Sequence, residues 1–478
     1  MTTQPEPSTE LGLHAVRQAS GAVIVDLDET LWLRNSTEEY LDSIRPRWLV
    51  AAVLIMLRIF PVWRLMGTQE DAEDWFRVVV CSVVFPWAIP LWRRRVRTVG
   101  VQWLNRPLAD AIVERFVSDG RVIVATRGFD VVVEPLVASF DLPAMDVVAC
   151  RFRKGRLDRH AGKLAMLDDR YGSHLVNEAT VITDSETDRP LLDRCAVPVL
   201  LQWPDARYVP APRTYAPFGY TEMYKRWGQR YVFHIVLVRD LPLWAIATAT
   251  IAPIPAGRHL VGLAMLAVSF WCVYDVGYLE NDRVAKRWEH DAVLPARPLP
   301  GRRFVIGAWA WALGLGAAAV YLLRPGEFLR GMGFWLGLLA GLRLVFFLYN
   351  HLEKSTRPVL YSVLQALRLL APLAVVAVAS AGVIALLLLS WSRSMLYVLY
   401  RSIRTPWLIV PHGVIDLVQL AIAYITLWRI GVRLEPEVVA MALAWMAFIS
   451  RGEIRSSLAT VRLISHSGTN DADAGTAK

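Results

Sequence analysis

Two aspartates two positions apart, Asp26 and Asp28, directly follow the apolar, β-branched run Ala22–Val25, and Thr30 comes next in the same alternation. A buried strand reads as such a run. A strand leaving an open α/β sheet at its carboxyl end delivers the following residues into the crevice where such sheets hold their ligands. Carboxylates at this spacing supply a nucleophile beside a proton donor, and a place for a hard cation. A surface turn is the plainer alternative, because Asp-x-Asp after a strand is common by chance. Three later groups bear on the choice: Thr126 after the run Arg121–Ala125, Lys163 at the start of a helical stretch, and Asp184 and Asp188 after Ala179–Thr183.

The elements that must position these groups follow from periodicity. Leu108 to Phe116 reads as a helix, Gly120 as a turn, and Arg121 to Ala125 as a second strand ending at Thr126. A helix is expected over Asp130 to Phe140 and a third strand over Asp146 to Cys150. Lys163 opens a helix carrying Leu164, Met166 and Leu167, and a fourth strand runs from Ala179 to Thr183. Strands alternating with helices at this spacing imply a parallel, doubly wound sheet.

Asp26-x-Asp28-x-Thr30, Thr126, Lys163, then Asp184 and Asp188, in that order at strand ends, resemble the four motifs of the haloacid dehalogenase-like (HAD) phosphohydrolases over roughly Gly21 to Leu201. The resemblance implies an α/β, Rossmann-like domain and these roles. Asp26 attacks phosphorus and forms an aspartyl-phosphate. Asp28 protonates the leaving oxygen and then deprotonates water. Thr126 binds a phosphoryl oxygen, and Lys163 neutralises charge there. Asp184, Asp26 and the backbone carbonyl of Asp28 hold Mg²⁺, and Asp188 supports the metal or Lys163 from behind. Asp28 followed by Thr30 resembles the phosphatase branch more than the dehalogenase branch.

Between the first two motifs lies an insert, about 31–106, where members of this superfamily carry a helical cap. It holds two apolar runs, Trp48 to Phe60 and Val78 to Trp92, with Arg93, Arg94 and Arg95 after the second. Each run is short for a membrane crossing. They read as core helices of the insert or, given their tryptophans and arginines, as helices lying in the membrane interface. An apolar cap implies a lipid-linked or membrane-presented phosphate as substrate.

The hydrophobic share of 55% and the mean hydropathy of +0.35 exceed what a soluble protein needs, and the excess lies after about Phe233. Apolar stretches near 233–254, 258–276, 303–323, 332–350, 359–378, 379–398, 407–428 and 435–451 imply an all-α polytopic membrane bundle of about eight spans. Arg302, Arg303, Arg401 and Arg404 flank such stretches. The formal charge of +9 therefore reads as positive flanks facing a bilayer rather than a nucleic-acid site. The four cysteines lack metal spacing and read as reduced thiols. Residues 1–18 and 465–478 read as disordered ends, 19–212 as the HAD-like domain, 213–232 as a linker and 233–464 as the membrane domain.

Tyr274-Asp275-Val276-Gly277-Tyr278-Leu279-Glu280-Asn281-Asp282-Arg283, followed by Arg297-Pro298, resembles the first aspartate-rich motif of UbiA-type intramembrane prenyltransferases. Tyr274 stands for its asparagine and Tyr278 for its middle aspartate. Tyr349, Lys354 and Tyr361 echo a second conserved group with tyrosine in the aspartate's place, and the second aspartate-rich motif is missing. The resemblance implies isoprenoid phosphate binding, with Asp275, Glu280, Asp282, Arg283 and Lys354 as candidates, and with Arg239, Arg297 and Arg368 as further cations for an anionic head group. The expected whole is an inner-membrane, multi-pass protein with a cytoplasmic Mg²⁺-dependent phosphatase acting on a lipid or polyprenyl phosphate. The alternatives are a prenyl or phosphoribosyl transferase with an accessory HAD-like domain, and a phosphatase on an inactive anchor.

Overall fold

Val23, Ile24 and Val25 form β1 (Val23–Val25), the central strand of a five-stranded parallel sheet. The computed structural model describes residues 7–66, 69–118, 120–251, 254–403 and 411–459. The other strands are β2 (Val122–Phe129), β3 (Asp146–Cys150), β4 (Thr180–Thr183) and β5 (Val197–Leu200), in the order β3-β2-β1-β4-β5. The sequence reading found four of these; β5 escaped it because Val197-Pro198-Val199-Leu200 is short, contains proline and lies at the sheet edge. Val25 lies opposite Val124 on one side and Ile182 on the other, which brings the ends of β1, β2 and β4 level.

Alternation along β1 splits its side chains between two cores. Val23 and Val25 pack with Leu31, Trp32, Ile112 and Val132 on one face, and Ile24 packs with Leu167, Val176 and Val181 on the other. The expected disordered lead-in is corrected in part. Pro7–Arg17 is a helix whose Leu13 and Val16 join the first core, because apolar residues three apart share one helix face. Residues 1–6 and the tail 465–478 lie outside the described residues, as does Arg404.

The insert leaves and rejoins the sheet domain side by side: the Asn105 amide donates to the Leu31 carbonyl at 2.9 Å, and Asn105 Nδ2 to the Thr30 carbonyl at 2.9 Å. Its helices are Ser36–Ser43, Arg47–Ile59, Gln69–Val84 and Ala88–Gln102. Asn35 caps the first by accepting from the Glu38 amide at 3.2 Å. The apolar runs divide between both readings. Val50, Leu54, Val78, Cys81, Phe85 and Trp92 are core, whereas Met56, Leu65, Val83 and Trp87 are exposed, as are Arg93 and Arg94. The last two helices turn by 108° at a short break.

The chain divides into two units at Thr214/Tyr215. The expected linker 213–232 is therefore corrected. Tyr215, Tyr220 and Thr221 are buried in the second unit, because their donors satisfy a carboxylate that has no water around it. A helix occupies part of each expected apolar stretch: Val232–Asp240 continued by Leu241–Ala249, then Ala256–Trp288, Arg302–Leu323, Phe328–His351, Arg357–Leu370, Ser380–Ile403, His412–Arg429 and Pro436–Ile449. Among the described residues, five spans are long and apolar enough to cross a membrane: Val232–Ala249, Ala256–Trp288, Arg302–Leu323, Pro325–His351 and Ser380–Arg401. The fifth expected stretch falls short because its helix ends at Leu370, just before Pro372, and buries Arg357, Gln365 and Arg368. Pro436–Ile449, at 14 residues, measures about 21 Å against a hydrocarbon thickness of about 30 Å.

Candidate active site

Three adjacent strand ends and one helix converge on Asp26. Its amide donates to the Ile182 carbonyl at 2.9 Å, so the last rung between β1 and β4 fixes the backbone of Asp26. The chain then turns tightly: Glu29 adopts φ 63°, a left-handed conformation that costs a non-glycine residue about 1–2 kcal/mol. That turn aims Asp28 toward the start of helix Ser36–Ser43, whose Ser36 amide donates to Asp28 Oδ1 at 2.6 Å. Thr126 Oγ1 donates to Asp28 Oδ2 at 3.3 Å and accepts from the Gly128 amide at 2.9 Å.

Lys163 arrives from the helical stretch Gly155–Tyr171, which is interrupted at Gly162 with φ 83°. Only glycine adopts that conformation cheaply, and the break lets a new helical segment start at Lys163 with its side chain turned inward. Lys163 Nζ lies 2.7 Å from Asp26 Oδ1 and 2.7 Å from Asp188 Oδ2. Thr183 Oγ1, at the end of β4, reaches Asp26 Oδ2 at 3.1 Å and Asp188 Oδ2 at 2.6 Å. Asp184 Oδ1 accepts from Thr30 Oγ1 at 2.9 Å, and the Asp184 amide donates back to the same oxygen at 3.1 Å.

Burial pushes the Asp26 carboxyl up to about 7 against the pull of Lys163, with Asp188 and Asp28 adding to the rise. Burial raises Asp28 as well, against the Ser36 hydrogen bonds, and lifts Glu29 to about 7 with Asp184 and Asp28 contributing. Asp184 is raised by burial too. For Lys163 burial alone would lower the ammonium; Asp26 and Asp188 outweigh it, and the net shift is upward. Asp26, Asp28, Glu29, Asp74 and Asp184 line a cavity against Lys163, Arg127 and Arg159, an excess of negative charge that a divalent cation would relieve. The donors suited to hold one are the Asp26 and Asp184 carboxylates and the Asp28 carbonyl, a set that fits Mg²⁺ because it leaves positions for phosphate oxygens and water. Among the described residues, no group of three or more His, Cys, Asp or Glu side chains forms a ready metal cage.

Asp26, Asp28, Glu29, Thr126, Lys163 and Asp184 line this cavity of about 210 Å³. Asp74, Arg127 and Arg159 line it too, and sequence reasoning missed all three, along with Glu29 and Thr183. Nothing in the sequence ties Asp74 to Arg127 or Arg159, which lie far from it along the chain. An apolar pocket is not what the insert provides: every lining residue is polar or glycine.

The membrane-unit candidates are each engaged by partners within the chain. Asp275 is fully buried and accepts from Tyr215 Oη at 3.1 Å, the Tyr220 amide at 3.2 Å, and the Thr221 amide and hydroxyl at 2.9 and 2.7 Å. Asp282 is held by Tyr220 Oη at 2.7 Å and by Lys225. Glu280 pairs with Arg343 at 2.9 Å and accepts from Asn350 Nδ2 at 3.1 Å, and exposed Arg283 donates to the Pro300 carbonyl. Lys354 pairs with Glu289 at 3.0 Å beside a cavity of about 660 Å³ that Arg357 and Asn350 also line. Arg368 and Arg393 share the buried Asp240, Arg239 pairs with Asp416, and Arg297 stacks on Trp227 at 4.0 Å.

Residues 23–193 match the family model of the haloacid dehalogenase-like hydrolases. The N-terminal unit is thus a hydrolase domain of that class, set in a chain whose second unit carries membrane-length helices. The family match does not extend into that second unit. No curated protein and no solved structure gives a significant match to the chain.

Proposed function

We propose that the N-terminal unit is a Mg²⁺-dependent phosphatase acting through an aspartyl-phosphate on a phosphomonoester borne by a lipid or polyprenyl compound. The observation that carries the chemistry is the buried Asp26–Lys163–Asp188 triad beside Asp28. Lys163 keeps an Asp26 oxygen available as nucleophile. Asp26 attacks phosphorus in line and the bond to the leaving oxygen breaks. Asp28, whose carboxyl burial raises above its ordinary value, gives that oxygen its proton. Asp28 then takes a proton from water, which attacks the same phosphorus, frees phosphate and restores Asp26. Bound Mg²⁺ would supply charge neutralisation at the phosphoryl oxygens.

The lipid part rests on two features: membrane-length helices on the same chain, and an insert that exposes Met56, Leu65, Val83 and Trp87 as well as Arg93 and Arg94, a mixture that suits an anionic membrane surface. The small polar cavity then receives the phosphorylated head while the apolar tail stays outside. A UbiA-like membrane unit that binds or makes the isoprenoid would fit this reading, with the phosphatase on the cytoplasmic face of the plasma membrane. One observation favours the membrane unit as anchor or lipid presenter over transferase. The oxygens of Asp275 are already filled by four donors of the chain itself, which leaves that carboxylate little capacity for a metal. The test is phosphate release by full-length protein, wild type against Asp26→Asn, over lipid and soluble phosphates with and without Mg²⁺. Release from lipid phosphates that needs both Asp26 and Mg²⁺ supports the reading; release from short soluble phosphates alone overturns its lipid part.

A further inference from the structure

Phosphoryl transfer at Asp26 leaves two guanidinium groups of the cavity without a task. Arg127 follows Thr126 directly on β2, and Arg159 lies in the helical segment just before the Gly162 break that Lys163 follows; both line the cavity. Each is tied to the other's backbone, Arg159 Nη1 donating to the Arg127 carbonyl at 2.8 Å and Arg127 Nη2 to the Arg159 carbonyl at 3.3 Å. Arg159 Nη2 also reaches the insert, where it meets Asp74 Oδ2 at 2.8 Å, with its own side chain only 13% exposed. Its buried Nε has no partner.

Asp74 does not depend on Arg159. Arg77 Nη1 holds its other oxygen at 3.1 Å, and Arg77 is itself anchored on Glu38 by two bonds of 2.8 and 2.9 Å. An anion arriving at Arg159 can therefore displace Asp74 without stranding a buried charge, since Arg77 keeps it paired. The position already accepts a carboxylate, and the planar fork of arginine suits carboxylate and phosphate oxygens in pairs.

Building on the phosphatase reading, we propose that Arg159 sets specificity by binding a second anionic group of the substrate. The preferred substrate is then a phosphomonoester that carries another phosphate, a phosphodiester or a carboxylate a short polar spacer away. Asp74 holds the guanidinium until that group arrives. The cavity of about 210 Å³ is below the usual ligand-pocket range of about 300–1,000 Å³, so the two anionic groups lie close together.

Matched substrate pairs test this in full-length protein with Mg²⁺. One soluble pair is 3-phosphoglycerate against glycerol 3-phosphate. One lipid-borne pair, in mixed micelles, is phosphatidylglycerol phosphate against phosphatidate. The wild type should favour the member with the second anion in at least one pair, by roughly 10- to 100-fold in kcat/KM as expected for a charged hydrogen bond, and mostly through KM. The pair that shows the preference tells whether the anion is soluble or lipid-borne. Arg159→Gln should collapse that ratio toward one, Arg159→Lys should restore part of it, and Asp74→Asn should lower KM for the doubly anionic member. No preference in either pair, or equal losses for both members in Arg159→Gln, overturns the proposal and leaves Arg159 a latch between insert and sheet domain. Absence of Mg²⁺-dependent, Asp26-dependent turnover of every substrate, p-nitrophenyl phosphate included, would instead remove the phosphatase reading on which it rests.

Discussion

Acidification should weaken Mg²⁺ binding steeply, because proton and cation compete for Asp26. Its carboxyl is held at about 7, chiefly by burial, and the cation needs it ionised. Between about pH 7.5 and about pH 5.5 the ionised fraction falls roughly 25-fold, so Mg²⁺ affinity should fall by about 1.9 kcal/mol. Asp28 and Asp184, also raised by burial, steepen the loss at the acid end. The same linkage sets stability without metal. A carboxyl whose folded value lies above its ordinary 3.8 contributes fully below that ordinary value, and the contribution fades as pH rises through about 7. Added Mg²⁺ should therefore raise Tm more at about pH 7.5 than at about pH 5.5. Calorimetric titration of the full-length protein in two buffers of different ionisation enthalpy reads both the affinity and the protons released. A Kd that stays constant across this range, with no proton released, would refute the placing of Asp26 as a buried cation ligand.

Other perturbations act on single contacts. Thr183→Val removes the hydroxyl shared by Asp26 and Asp188; it should cost about 1–2 kcal/mol of stability and lower kcat more than KM. Val83→Glu places a charge on the exposed apolar edge of the insert; turnover of a lipid phosphate should drop while turnover of p-nitrophenyl phosphate holds, and a parallel drop in both would count against a lipid-facing edge. Gly277→Leu would put a Cβ 2.4 Å from the Phe346 ring, where two helices meet closely; thermal unfolding in detergent should show a loss of about 1–3 kcal/mol.

The sheet and the Asp26, Asp28, Lys163 and Asp184 positions were legible because β-branched runs end abruptly in chemically distinctive residues. Long-range polar pairing left no such mark. Asp74 meets Arg159 across 85 positions, and the donors to Asp275 come from 54 to 60 positions upstream, within residues whose mixed composition read as a linker. Hydropathy located stretches in which helices of the second unit lie, and among the described residues five spans are long and apolar enough to cross a membrane. It counts apolar residues and does not see that Pro372 ends a helix or that buried Arg368 faces Asp240. The apolar runs of the insert do not line the cavity: many of their large side chains pack into the core, and the cavity wall is built from polar residues and glycine.

The most direct test of the account is to trap the covalent intermediate. Full-length protein turning over a phosphomonoester with Mg²⁺ is quenched in acid, reduced with borohydride and mapped by peptide mass spectrometry. Reduction of an aspartyl-phosphate yields homoserine, and the account predicts it at position 26, increased in Asp28→Ala with p-nitrophenyl phosphate, whose leaving group needs no proton from Asp28 while dephosphorylation lacks its base. Sustained phosphate release with position 26 unmodified in both proteins, or homoserine at a different aspartate, would contradict it.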